Sequence, residues 1–239
     1  MKFWLIVLSA ALLCWYTTVS GQERKQPTLA TPLIVIAEAK EVRVAGTIYP
    51  ERFNTAQGEE AHYHLLVWQG GTSPFALIET PADDLAFHDA LIQLGGQPGN
   101  NLTMAAWTER HDEHSLVSRE TVTGSSLDIH LSWETNPIGI PAVQAFQHPF
   151  EDMPAPRPQT LDSRLDWRFG GNRDRWFNRI PLAPRPGCLV CLYSCPSGKV
   201  SNSALSIHDY VTTPSRFAAN TDILPADGTL VIVSFRLLP

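Results

Sequence analysis

The chain lacks any excess of basic residues. Its 18 lysines and arginines are outnumbered by 24 aspartates and glutamates, which gives a net charge of −6 at pH 7. Proteins that bind nucleic acid or anionic membranes usually present a basic patch, and this sequence supplies none. We therefore expect neither nucleic acid nor an anionic lipid surface as a partner, and any protein partner stays unidentified.

Long apolar runs are absent after the N-terminus. Residues 1–21 contain Lys2, an apolar run from Phe3 to Tyr16, and the small-residue cleavage sequence Val19-Ser20-Gly21. This order is typical of a secretory signal peptide, whose apolar run is shorter than a membrane span. The sequence thus predicts an exported protein, periplasmic or extracellular, whose mature chain has no transmembrane segment.

Cysteine is scarce, with four residues in 239. Cys14 lies in the predicted signal peptide, so the mature chain keeps Cys188, Cys191 and Cys195, all within eight positions. Three is an odd number in a compartment that oxidises thiols. At least one thiol must therefore stay free, bind a ligand or pair with another molecule.

The cysteine run is the strongest candidate site, because thiolates are the best soft metal ligands and nucleophiles among side chains. Proline and glycine flank the run on both sides and favour a loop or a single turn. On a helix all three sulfurs would share one stripe. On a regular strand Cys191 and Cys195 would share a face and Cys188 would point to the other.

A metal site is the first hypothesis. Three thiolates and one imidazole form a known structural zinc set, and cuprous copper also favours sulfur ligands. His208, thirteen residues after Cys195, is the nearest candidate for the imidazole; His62 and His64, on one face of a predicted strand, are the others.

A thiol-redox protein is the second hypothesis. Cys188 and Cys191 have the spacing of a redox motif, and Cys195 is placed to resolve a mixed disulfide. Arg185 and Lys199 would stabilise thiolates electrostatically in either case. No segment before the run has the pattern of a thioredoxin-type unit.

The third hypothesis is a non-catalytic binding module. Here the cysteines form a structural disulfide or fill the core, and exposed aromatics such as Trp68 or Trp107 contact a partner. Sulfurs that converge beside a histidine would support a metal or cluster site. Sulfurs dispersed in apolar packing would support the binding module.

Alternating apolar residues predict six or more strands and two or three short helices. The clearest strand is His62–Trp68, expected to pair as a hairpin with Phe75–Thr80, and Leu230–Phe235 ends the chain as another strand. The best helix is Pro81–Leu94, with Thr80 as its N-cap. We therefore predict a single α+β domain on a mostly antiparallel sheet, with residues 22–37 as a linker and 38–239 as the domain.

Five short segments carry a resemblance to a known family over residues 38–238. They are Tyr63–Gly71, Phe87–Leu91, Pro98–Leu102, Phe169–Asn172 and Gly187–Lys199. On these segments the chain resembles the YdjY-domain family of exported bacterial proteins. The resemblance implies a bacterial host and an exported domain, but no mechanism, because the family has no established activity. Some of its members are labelled ferredoxin-like.

An iron–sulfur cluster is therefore a further candidate cofactor, and the spacing argues against it. In the bacterial ferredoxin run the last three cysteines are spaced as here, and the first would fall at Arg185. No remote cysteine replaces it, so a four-iron cluster would need a ligand other than thiolate or an open iron. The signal peptide also lacks a twin-arginine pair, which predicts export before folding. Zinc or cuprous copper, acquired after export, fits the sequence better.

Overall fold

The computed structural model describes residues 26–58, 60–147, 165–171, 185–212 and 217–239. The predicted signal peptide lies outside these ranges. The described strands are β1 Leu33–Ile36, β2 Glu41–Ile48, β3 His64–Trp68, β4 Ala76–Thr80, β5 Ser126–Trp133, β6 Asn136–Pro141, β7 Phe146–Gln147, β8 Trp167–Phe169, β9 Cys188–Cys191, β10 Val200–Asn202, β11 Ala218–Ala219 and β12 Thr229–Leu237. The described α-helices are α1 Pro50–Thr55, α2 Asp84–Gln93, α3 Met104–Thr108 and α4 Ile207–Thr212.

Eight strands form a closed ring in the order β2-β12-β5-β8-β10-β9-β3-β4. The ring closes because β2 pairs with β12 along one edge and with β4 on the other, where Thr47 and Ile48 face Glu79 and Ile78. The pairs β9–β10 and β3–β4 are parallel, and the other pairs of the ring are antiparallel. A closed barrel leaves no free edge in the ring.

The predicted α+β domain on a mostly antiparallel sheet is therefore wrong. The described chain is a mostly β closed barrel, and its four α-helices have only five to ten residues each. Alternation along a strand shows which residues face inward. It does not show that a strand near the N-terminus pairs with two partners far along the chain, and that pairing closes the sheet.

The longest strands follow the alternation expected of a sheet with one buried face. Val231, Val233 and Phe235 of β12 are fully buried while their neighbours are partly exposed. Leu127, Ile129 and Leu131 of β5 alternate in the same way. These side chains supply much of the core, and burying each is worth about 1.5–3 kcal/mol.

The helix α2 packs on the barrel next to the cysteine run. Its N-cap is Asp83, which accepts hydrogen bonds from the N–H groups of Leu85 and Ala86, and not the predicted Thr80. The ring of Phe87 packs on that of Phe235, with centroids 4.7 Å apart. This contact seats α2 on β12, and ion pairs of Asp83 and Asp84 with Arg185 and Lys199 hold the helix N-terminus near residues 185–199.

The chain between β3 and β4 does not make the predicted hairpin, since the two strands are parallel. Instead the N–H groups of Thr72 and Ser73 donate to the carbonyls of Arg185 and Pro186, both at 2.9 Å. Gly71 allows this close approach, because a Cβ there would lie 2.3 Å from the carbonyl oxygen of Pro186. The connection is thereby held against the chain that enters β9.

The structure places a strand within the predicted linker. The stretch predicted as a linker, 22–37, contains β1, which pairs with β2.

In the parts of the chain that the structure describes, no helix has the length and apolarity needed to cross a membrane.

Candidate metal centre

The centre is built where β3 pairs with β9. His64 begins β3 and lies directly opposite Cys191, the last residue of β9. The Nδ1 atom of His64 is 3.6 Å from Cys191 Sγ, and both residues are buried. The pairing of these two strands therefore places one imidazole beside one sulfur.

A bulge in the same pairing accounts for the position of Cys188. The register shifts twice in this pairing. Between His64 and Leu66 the extra residue is on β3; between Leu66, which pairs with Val190, and Val67, which pairs with Cys188, it is on β9. An extra residue reverses the usual alternation of side chains along the strand. Cys188 and Cys191, three positions apart, can then share one face. The Nδ1 or Nε2 atom of His64 and the sulfurs of these two cysteines all lie within 4.8 Å of one another.

Cys195 joins this group from the turn that follows β9. Its Sγ accepts a hydrogen bond from the N–H of Ser197 at 3.4 Å. Gly198 lies close by, since a Cβ on it would be 3.2 Å from Cys191 Sγ. None of the three described cysteines forms a disulfide, and all three are buried.

The three thiols differ in the direction of their pKa shifts. Burial alone would raise the pKa of Cys195, but hydrogen bonds from the thiols of Cys188 and Cys191 outweigh it. His64 and the N–H of Ser197 lower this pKa further, so that it lies well below its usual value. The cluster therefore favours one negative charge, on Cys195.

The other two cysteines are held in the thiol form. Burial, followed by the hydrogen bonds with its two cysteine neighbours, raises the pKa of Cys191 well above its usual value. The hydrogen bond with Cys191 lowers the pKa of Cys188, but the hydrogen bond with Cys195 and burial raise it more, to well above the usual value. Ionising these two thiols therefore requires a nearby cation.

The second nitrogen of His64 faces a carboxylate. Its Nε2 is 3.4 Å from Glu60 Oε2. A carboxylate that accepts from one ring nitrogen leaves the lone pair of the other nitrogen for a ligand, and this arrangement is common behind metal-bound histidines. Glu60 thus orients Nδ1 of His64 toward the sulfurs.

A cavity of about 170 Å³ lies over the centre. Its lining is Glu60, Tyr63, His64, Thr72, Ser73, Met104, Trp107, Pro186, Cys188, Cys195 and Ser197. Thr72 is exposed, so the cavity opens to solvent. The Oγ atom of Ser73 is 3.0 Å from Cys188 Sγ. The centre is thus buried behind the cavity and reached through it.

Two comparisons place the chain among known proteins. The family model described as the YdjY domain matches residues 33–236. The chain belongs to the YdjY domain family. It is 34% identical over 179 residues to a protein of Escherichia coli strain K12 named uncharacterized protein YdjY, covering 73% of this chain and 67% of that protein. No solved structure is significantly similar to the chain.

In this YdjY domain Arg185 and Lys199 pair with carboxylates of α2. Lys199 Nζ lies 3.0 Å from Asp84 Oδ2, and both side chains are buried. Arg185 pairs with Asp84 at 2.7 Å and also with Asp83. Both cations therefore fasten the two ends of the cysteine run to α2. That they also stabilise thiolates electrostatically stays a prediction.

The YdjY domain brings four of the six predicted site residues together: the three cysteines and His64. His62 precedes β3 in a left-handed conformation, with φ of 62°, and its ring packs against Phe53 at 5.1 Å. His208 is buried in α4. The metal-capable group found among the described residues consists of His64, Cys188 and Cys191, and contains neither His208 nor Cys195. Cys195 is counted with the cluster because its sulfur interacts with the other two cysteines and with His64. Whether the assembled residues hold a metal stays a prediction.

The aromatic residues predicted to be exposed are both half-buried in the YdjY domain. Trp68 lies under the guanidinium of Arg185, and Trp107 lines the cavity. Sequence reasoning missed Glu60, Tyr63 and Ser73, which lie around the sulfurs. No sequence signal marks them, because each reaches the centre through tertiary packing.

Proposed function

We propose that this domain is an exported metal-binding domain, which holds one zinc or cuprous ion through His64, Cys188 and Cys191, with Cys195 as the fourth ligand. The observation that carries this proposal is the convergence of one imidazole and two buried sulfurs within 4.8 Å. Cys195 lies outside the group whose ligand atoms are all within 4.8 Å of one another. We add it as the fourth ligand because its sulfur interacts with both other cysteines and with His64.

The separation of the ligand atoms supports a single ion. With Zn–S near 2.3 Å and Zn–N near 2.0–2.1 Å, the two ligand atoms on one tetrahedral zinc stand about 3.6 Å apart. Cys191 Sγ and His64 Nδ1 are separated by 3.6 Å. Each protein ligand of a four-iron cluster binds a different iron atom, so those ligands stand farther apart, and this geometry favours one ion over a four-iron cluster.

The charge of the centre also supports a cation. Two buried thiols have raised pKa values, and the pKa of the third, Cys195, is lowered beside them. A bound cation would stabilise all three thiolates and release the protons of Cys188 and Cys191. Soft cations bind thiolate and imidazole best, which selects zinc or cuprous copper over magnesium or calcium.

The extracytoplasmic location belongs to the proposal and rests on the N-terminal pattern of residues 1–21. Zinc and copper are both acquired after export, so neither needs to cross the membrane within the folded domain. Fractionation of the native host, with the mature N-terminus read by mass spectrometry, tests this part. A cytoplasmic chain that keeps residues 1–21 would contradict it.

Elemental analysis of the mature protein, purified without oxygen, tests the function. We expect about one zinc or copper ion per chain, with all three thiols protected from alkylation. Cys191→Ser removes the sulfur that lies 3.6 Å from His64 Nδ1 and should reduce bound metal at least tenfold. Circular dichroism of the metal-free protein and of the variant checks that both are folded. Stoichiometric metal in Cys191→Ser would contradict the proposed ligand set.

A thiol-redox function is the second candidate, favoured by the low pKa of Cys195 and its position on the cavity. The Cys195 thiolate would attack a substrate disulfide, form a mixed disulfide and release one thiolate. A neighbouring cysteine would then attack Cys195 and release the second. Metal-free protein with one disulfide and one free thiol, oxidised at a defined glutathione potential, would favour this function over metal binding.

A further inference from the structure

Met104 lies on the wall of the cavity that opens over the centre. Cys188 and Cys195 line the same cavity, so one thioether side chain and two cysteines border a space of about 170 Å³. A cavity of about 150 Å³ holds one benzene molecule, so the walls of this cavity stand only a small molecule apart. A soft thioether therefore borders the same small space as the cysteine sulfurs.

The helix α3 determines where Met104 points. Met104 and Trp107 are three residues apart in α3 and share one face of it, and both line the cavity. The ring of Trp107 packs against that of Tyr63, with centroids 5.9 Å apart, and the Tyr63 ring packs against that of His64 at 4.9 Å. These ring contacts hold the face of α3 that carries Met104 against the centre.

Packing of the hydrophobic core does not account for Met104. Its side chain is half-buried, and among the described residues it belongs neither to the core nor to the side chains that pack against the core. Trp107, on the same face of α3, does pack against the core. Methionine has three rotatable bonds and adapts its shape easily. The thioether of Met104 is therefore available to a ligand in the cavity.

The kind of sulfur ligand distinguishes copper from zinc. Zinc sites use thiolate, imidazole and carboxylate ligands, whereas copper also takes thioether sulfur, as in trigonal sites with one long axial methionine. The close ligand group of this centre is threefold as well, since it consists of His64, Cys188 and Cys191 and leaves out Cys195. Three close ligands with a thioether on one side match copper better than a tetrahedral zinc ion.

We propose that the centre takes a cuprous ion, and that Met104 binds this ion with its thioether from the cavity wall. This inference rests on the metal-binding function proposed above, and it names copper rather than zinc as the ion. Met104 is then the residue that discriminates between the two ions, because a thioether contributes to a copper site and not to a zinc site.

Met104→Leu is the decisive variant, because leucine has a similar volume and carries no sulfur. Met104 is half-buried and outside the core, so we expect the melting temperature of the metal-free protein to change little. Thr72→Val is the matched control, since it alters another residue of the cavity wall without adding or removing a soft ligand. Thermal melting of both variants checks that they are folded.

Affinity is measured for each ion without oxygen, by competition with a chromophoric chelator, and the cuprous ion is supplied as its acetonitrile complex. We expect the copper affinity of Met104→Leu to be about tenfold lower, the smaller of the losses seen when a supporting group is removed from a metal site. Its zinc affinity should be unchanged, and Thr72→Val should match the wild type for both ions. Equal copper affinity in Met104→Leu and wild type would overturn the inference.

Protein labelled with selenomethionine shows directly whether the side chain at position 104 contacts the ion. X-ray absorption at the selenium edge should record a copper neighbour in the wild type loaded with cuprous ion. The neighbour should be absent from Met104→Leu and from the wild type loaded with zinc. A copper-loaded wild type without a copper neighbour at selenium would overturn the assignment of Met104.

Loading with equal amounts of both ions separates this inference from the proposed function. Copper bound in preference to zinc, with the preference reduced in Met104→Leu, would support the inference. Zinc bound in preference to copper would overturn the inference and leave the proposed function standing. A protein that binds neither ion would overturn the proposed function and this inference together.

Discussion

His64 and Cys191 face each other across the β3–β9 pairing, with Nδ1 and Sγ 3.6 Å apart, although 127 positions separate them in the sequence. The bulge that follows in β9 brings Cys188 to the same group. The candidate centre thus depends on the register of two strands as much as on the identity of its side chains.

Two histidines close in sequence offer a matched pair of variants. His64→Gln removes the imidazole nearest to the sulfurs, so we expect zinc affinity to fall at least tenfold. His62→Gln should leave the affinity unchanged, because His62 packs on Phe53. Competition with a chelator of known affinity measures both. Equal losses in the two variants would contradict the assignment of His64.

Zinc binding should release protons. Cys188 and Cys191 have pKa values raised well above the usual value, whereas that of Cys195 is well below it. At neutral pH we therefore expect about two protons released per ion, and an affinity that rises about tenfold per pH unit for each proton. Calorimetry in two buffers of different ionisation enthalpy measures the number. Release of no proton would contradict the arrangement of charges.

The buried pair of Lys199 and Asp84 should matter for stability. Lys199→Met leaves the Asp84 carboxylate buried with only Arg185 as a counterion. Removing one partner of a buried ion pair costs about 3–5 kcal/mol. Urea unfolding of the metal-free protein measures the loss, and Lys40→Met, at an exposed position, is the control. A loss below about 1 kcal/mol would show that the pair contributes little.

The ion pair between Asp83 and Arg185 should make the stability of the fold depend on pH. Burial raises the pKa of Asp83, but the hydrogen bond from Arg185 and the helix N–H groups outweigh it and lower this pKa. The carboxylate therefore stabilises the fold above its unfolded pKa of about 3.9, and the contribution is lost as pH falls through the lower folded pKa.

Asp83→Asn isolates this charge, because asparagine is an equally good N-cap. We expect a stability difference of about 0.5 kcal/mol at pH 7, since the partly exposed pair is screened by solvent. The difference should shrink below about pH 4. Urea titrations at several pH values measure it, and a difference that stays constant with pH would contradict the role of the charge.

Most strands could be predicted from the sequence, but the closure of the sheet into a barrel could not. The buried positions Val231, Val233 and Phe235 alternate in the sequence as a half-buried strand requires. The second partner of β2, and the parallel pairing of β3 with β4, depend on contacts between distant segments. Local periodicity carries no information on such contacts, so the fold class was predicted wrongly.

The candidate site, like the fold, was predictable from the sequence only in part. The sequence singled out the cysteine run by its composition, but His64 could not be separated from His62 and His208, since the strand begins only at His64. Convergence of Cys188 with Cys191 also contradicts the alternation of a regular strand. It depends on a bulge that only the paired structure reveals.

The β3–β9 pairing is also one of the joints that close the ring. An ion held by His64 and the cysteines would cross-link two chain segments 127 positions apart, and a cross-link over so long a loop restricts the unfolded chain strongly. Loss of the ion would weaken this joint before the others and free the edges of β3 and β9. Unpaired edges are where chains associate with one another. Metal supply would then govern whether the barrel stays closed or exposes strand edges to other chains.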